Sequence, residues 1–125
     1  MSRIPRQEDD ELKSARLAVS QGNLPRARAL ARRAAGHAIA QWAAIHPHPN
    51  QFGRDHLSRL SALAKEPRVG AHIREAAARL VVRTPAPGAE VAPGARTSLA
   101  PHSTDPVADG TLICAAMAAL LEFTA

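Results

Sequence analysis

The chain has 125 residues, a hydrophobic fraction of 46% that includes 28 alanines, and a net charge of +5 from sixteen Lys/Arg and eleven Asp/Glu. That length gives one domain with a modest core, and the single cysteine, Cys114, excludes an internal disulfide and fits a reducing compartment. No run approaches the ~18 apolar residues of a membrane span, and Met1-Ser2-Arg3-Ile4-Pro5 lacks the apolar stretch of a secretory signal, so the expectation is a cytoplasmic protein without a membrane partner.

The first helix is predicted over residues 8–21. Its first turn is acidic (Glu8, Asp9, Asp10, Glu11), which suits the positive end of a helix dipole, and Leu12, Ala15 and Val19 form its apolar stripe. Gly22 stops it, Asn23 caps the next helix and Pro25 sits in that helix's first turn. The second helix, over 24–46, places Leu24, Ala27, Leu30, Ala31, Ala34, Ala35, Ala38, Trp42 and Ile45 on one arc. A turn this short forces the two helices antiparallel, with facing alanines that let the backbones approach.

Pro47-His48-Pro49-Asn50 ends that hairpin. A short third helix over 54–65 turns Leu57, Leu60 and Leu63 inward, Glu66-Pro67 breaks it, and a fourth over 68–83 buries Val69, Ile73, Ala76, Ala77 and Leu80. Five prolines mark 84–106 as a long loop, and a strongly apolar fifth helix over 107–123 must dock back on the bundle. The organisation expected is a flexible N-terminus (1–7), a four-helix body (8–83), a Pro-rich loop (84–106) and a C-terminal helix (107–125) of the same domain. Together these make an all-α, antiparallel up-and-down bundle of four to five helices. Alanine supplies little burial energy, so self-association into a homodimer is expected to add buried area.

Charge is uneven. Residues 1–11 sum to −2, 12–83 to +10 and 84–125 to −3. A basic body attracts polyanions such as a nucleotide or RNA; fourteen Arg against two Lys, with abundant Ala and Pro, is also what a GC-rich coding bias produces. Candidate anion contacts are Arg28, Arg32, Arg33 and His37 on the second helix, and Arg68, His72 and Arg79 on the fourth. There Arg68, His72, Glu75 and Arg79 at i, i+4, i+7 and i+11 share one face. Two guanidiniums grip phosphate and an imidazole can donate a proton, which makes Arg68 and His72 the only catalytic candidates.

His46, His48 and His56 lack the Cys or carboxylate partners of a metal centre, so no metal is expected. Cys114 lies in an apolar run and reads as a buried inert thiol. No glycine-rich phosphate loop occurs, and no cofactor is implied.

The stretch Leu17-Ala18-Val19-Ser20-Gln21-Gly22-Asn23-Leu24-Pro25-Arg26-Ala27, followed by Ala31-Arg32-Arg33-Ala34-Ala35-Gly36-His37-Ala38-Ile39-Ala40-Gln41-Trp42, resembles the opening hairpin of HEPN domains. Gly53-Arg54-Asp55-His56-Leu57-Ser58-Arg59-Leu60 resembles their third helix, with the His-Asp order of the family inverted, and residues 79–85 and 109–123 resemble the fourth and last helices. The resemblance spans about residues 8–123. It implies a nucleotide- or RNA-associated accessory protein, a partner of a nucleotidyltransferase, or a metal-independent ribonuclease. The ribonuclease members carry Arg, four to six residues, then His near the start of the fourth helix. Here Arg68 and His72 have three residues between them. Arg32 and His37 keep the spacing, but on the second helix and about 140° apart. The departure favours a non-enzymatic accessory role over cleavage. Gln21-Gly22-Asn23-Leu24 with Ala27 and Ala34 also resembles the hairpin of a tetratricopeptide repeat, which implies a protein–protein interaction adaptor.

Overall fold

The computed structural model describes residues 4–45, 49–82 and 103–124. Every regular element among them is helical: α1 (Arg6–Ser20), α2 (Leu24–Ala44), a 3-10 turn (Pro49–Phe52), α3 (His56–Leu63), α4 (Ala71–Val81) and α5 (Pro106–Thr124). No described helix is long and apolar enough to cross a membrane. The proline-rich loop expected over 84–106 lies largely outside the described residues, as do His46 and His48.

The hairpin of α1 and α2 closes as its sequence dictates. Gly22 adopts φ +75, a conformation that costs a side chain energy. The amide of Asn23 then reaches back to the carbonyl of Ala18 at 2.8 Å and that of Gly22 to Val19 at 2.9 Å. The Asn23 side chain accepts from the Arg26 amide and caps α2, with Pro25 in its first turn. Antiparallel packing follows, and the seam is alanine: Ala15, Ala18, Ala27, Ala31, Ala34, Ala35 and Ala38 are all buried.

α2 is the central element, packing against α1, α3, α4, α5 and the 3-10 turn. Its far end carries Trp42, buried with its ring edge-to-face on Phe52 at 5.1 Å between centroids. Leu60 and Leu63 of α3, Ile73, Ala76, Ala77 and Leu80 of α4, and Ile113, Cys114 and Met117 of α5 complete the core around it.

Several boundaries differ from those expected. α1 starts at Arg6 because the Pro5 carbonyl accepts the Asp9 amide, and Ile4 packs on the core, so the N-terminal segment is tied down from residue 4. α3 starts at His56 because Asp55 accepts from both the amide and the hydroxyl of Ser58. α4 starts three residues later than its periodicity suggests. The Glu66 carboxylate captures the amide and the guanidinium of Arg68, which holds residues 66–70 in a turn. It also stops at Val81, since Val82 is extended. Asp105 caps α5, accepting from the Ala108 amide at 3.0 Å, with Pro106 at the first helical position.

Candidate functional site

The later start of α4 separates Arg68 from the face on which it was expected to join His72 and Arg79. Arg68 forks onto Glu66 at 2.7 and 3.1 Å and lies over the Trp42 ring at 5.3 Å from its centroid. His72 is exposed in the first turn of α4. Arg79, one-third exposed at 31%, makes a bidentate pair with the buried Asp109, and the Ser103 hydroxyl donates to the same carboxylate at 2.6 Å. Arg32 also points inward. It donates to the carbonyls of Leu80 at 2.7 Å and Val82 at 3.3 Å, which finish α4. These arginines are structural ties. Arg28 is half-buried, with its Nε enclosed.

Arg33 and His37 stand elsewhere. Positions 33, 37, 40 and 44 follow one face of α2, and α3 lies along that face. The two helices meet through Gly36. A Cβ there would overlap the His56 ring, so only glycine admits His56 at this depth. The rings of His37 and His56 meet edge-to-face, 5.1 Å between centroids at 72°. Nε2 of His37 faces Oε1 of Glu11 at 3.4 Å and the side chain of Gln7 at 3.5 Å.

Burial pushes the His56 pKa down, and the positive charges of Arg59 and Arg33, with His37 beside them, push it further; Asp55 opposes them. Its Nδ1 is buried without a partner among the described residues. The imidazole is thus held toward its neutral form in the field of two cations, Arg59 of α3 and Arg33 of α2. The groove continues into a cavity of about 250 Å³, walled by Ala40, Ala43 and Ala44 of α2 and by Phe52 and Gly53, with Arg54 and Arg59 at its mouth. Neither arginine forms an ion pair within 4.0 Å among the described residues.

Such a groove can hold an anion. Guanidiniums present planar forks that match phosphate and carboxylate oxygens, and the apolar wall lowers the dielectric behind them. Among the described residues no three His, Cys, Asp or Glu side chains are arranged to hold a metal ion.

Arg33 and His37 were legible as candidates in the sequence; Arg54, His56 and Arg59 were not, because they join the site only through the packing of α3 on α2. A signal did exist in Gly36, a residue without a side chain in the middle of an otherwise good helix. The burial of Glu8 on α1, against α5, was also missed. Glu8 falls four positions before Leu12 and continues the apolar stripe.

The fold and groove define an all-α helical bundle with a basic, half-enclosed cleft. Comparison with protein-family models, with curated proteins and with solved structures returned no significant match to this chain.

Proposed function

We propose that the protein is a non-enzymatic accessory protein that binds a phosphate-bearing ligand, a nucleotide or a segment of RNA, in the groove between α2 and α3. One observation carries the reading. The positive charges of Arg33 and Arg59 both bear on His56, whose ring meets His37, and Arg54 and Arg59 line the neighbouring cavity. At about 250 Å³ the cavity takes a phosphoryl group with space to spare for the sugar attached to it, and a longer ligand extends from it toward Arg33. The HEPN resemblance of the hairpin agrees with this reading and adds a partner, an enzyme of nucleotidyl-transfer chemistry to which the bound ligand is presented.

Fluorescence anisotropy with a labelled single-stranded RNA oligonucleotide and with a labelled mononucleotide tests it. Three guanidinium–phosphate contacts give a slope of about −2 in log K against log salt for single-stranded RNA. Replacing Arg33, Arg54 and Arg59 by alanine together abolishes binding and the slope, whereas Arg68→Ala/His72→Ala leaves both in place. Binding that ignores ionic strength, or that survives the triple substitution, refutes the assignment.

A further inference from the structure

α5 carries only two charged residues in its nineteen, Asp109 and Glu122, and Asp109 is spent on Arg79. A helix apolar on every side belongs in an interior. One side of α5 is interior, with Ile113, Cys114 and Met117 at 0% exposure. The opposite side is open. Leu112 is 41% exposed and Val19 of α1 42%, and between them runs a groove of about 600 Å³ floored by Val19, Val107, Leu112 and Ala115.

The rims of this groove carry opposite charges. Arg16 lines it from α1, and Asp105 lines it from the N-terminal cap of α5. An isologous interface sets one patch against the same patch turned by a two-fold rotation. With the two-fold axis running along the groove, the α1 rim of one copy meets the α5 rim of the other, which sets Arg16 opposite Asp105 at both edges of the interface. A surface with one sign of charge on both rims would repel its own copy; this one attracts it. The small residues Ala108 and Ala115, two helical turns apart on α5, let two such helices approach closely.

We propose that the groove between α1 and α5 is the interface of a two-fold homodimer, with Leu112 at its centre and reciprocal Arg16–Asp105 pairs at its edges. The anion groove lies between α2 and α3, and the dimer does not depend on it.

Sedimentation equilibrium of the full chain over a dilution series is the test. The expected mass is twice 13.2 kDa, falling to 13.2 kDa for Leu112→Asp. Arg16→Glu and Asp105→Arg each place like charges across the interface and weaken the dimer by about tenfold. A one-to-one mixture of the two restores it. The carboxylate introduced at position 16 of one variant then meets the guanidinium introduced at position 105 of the other, while the native pair forms at the opposite edge. Asp105→Asn keeps the cap oxygen and removes only the charge, and circular dichroism shows whether each variant is folded. A monomer at every concentration, an unaffected Leu112→Asp dimer, or a mixture no tighter than its components overturns the proposal. So does a nitroxide at position 112 that is immobilised in a monomer, which would put the chain's own residues 83–102 in the groove.

Discussion

The carboxyl of Glu8 on α1 is buried against the thiol of Cys114 on α5. No donor reaches either Glu8 oxygen in bonding geometry among the described residues. Burial pushes the Glu8 pKa up to about 7; the Cys114 thiol beside it works against the rise, and Glu11, one turn on, adds to it. Burial and the two carboxylates likewise push the Cys114 thiol up, far from the range in which it reacts as thiolate.

The consequence is a pH dependence of stability. The folded chain holds the Glu8 proton more tightly than the unfolded chain, whose value is the ordinary 4.5. The stabilisation is therefore complete below pH 4.5, is lost as pH rises, and is gone above about 7. Its size is on the order of 3 kcal/mol. Urea denaturation at a series of pH values reads it directly. Glu8→Gln, a neutral isostere, removes this slope and leaves the chain more stable than the parent at pH 8. Parallel curves for the two proteins would mean that Glu8 ionises freely in the fold.

His56 acts in the opposite sense. Its folded pKa lies below the ordinary 6.5, so its contribution is present above 6.5 and lost as pH falls through the folded value. Gly36 is what admits the ring. A methyl there overlaps the ring and the His56 Cβ together, so rotation of the imidazole alone cannot clear it. Gly36→Ala should gain about 1 kcal/mol in helix propensity yet lose about 1–3 kcal/mol to overpacking, a net destabilisation. Against a His56→Gly background, which removes the Cβ as well as the ring, the same change should stabilise by about 1 kcal/mol. A double-mutant cycle from denaturation midpoints tests the sign reversal, and additive effects would remove the claim that the two residues share one space.

The helices of this bundle were legible because their signals are local. Gly22, Asn23 and Pro25 state a turn, and alanines at helical spacing state a seam. What the sequence concealed depends on contacts distant along the chain or on a side chain competing with the backbone. Glu66 takes the Arg68 amide and so delays α4, a choice that periodicity alone does not see. Arg32 and Arg79 share the composition of a wet basic stripe, but their partners, the Leu80 carbonyl and Asp109, lie 48 and 30 residues away. The groove is hidden for the same reason, since its two walls come from helices joined only by packing.

The Arg79–Asp109–Ser103 cluster ties the end of α4 to the start of α5, and the Ser103 amide adds a bond to the Arg79 carbonyl at 3.1 Å. Asp109 is 6% exposed, so removing it strands a half-buried guanidinium. Asp109→Ala should cost about 2–4 kcal/mol and Asp109→Asn less, because the amide oxygen still accepts. Hydrogen exchange should locate the loss at the facing ends of α4 and α5. A uniform loss across the bundle would mean the cluster supports the core generally and does not join two ends.

Arg32 and Arg33 are neighbours in sequence with opposite assignments, and separating them tests the structure and the proposed function together. Arg32 is turned inward to two carbonyls at the end of α4; Arg33 is exposed on the groove face and bears on His56. Arg32→Met removes charged hydrogen bonds worth about 1.5–3 kcal/mol each, and Arg32→Lys does not restore them, since one ammonium on a shorter reach cannot span both carbonyls. Ligand binding should persist in these variants wherever they stay folded. Arg33→Ala should leave the denaturation midpoint within about 0.5 kcal/mol of the parent and flatten the salt dependence of nucleotide or RNA binding by about one contact. If Arg33→Ala destabilises the bundle while Arg32→Met weakens only binding, the two assignments are reversed and the groove between α2 and α3 is not the binding face.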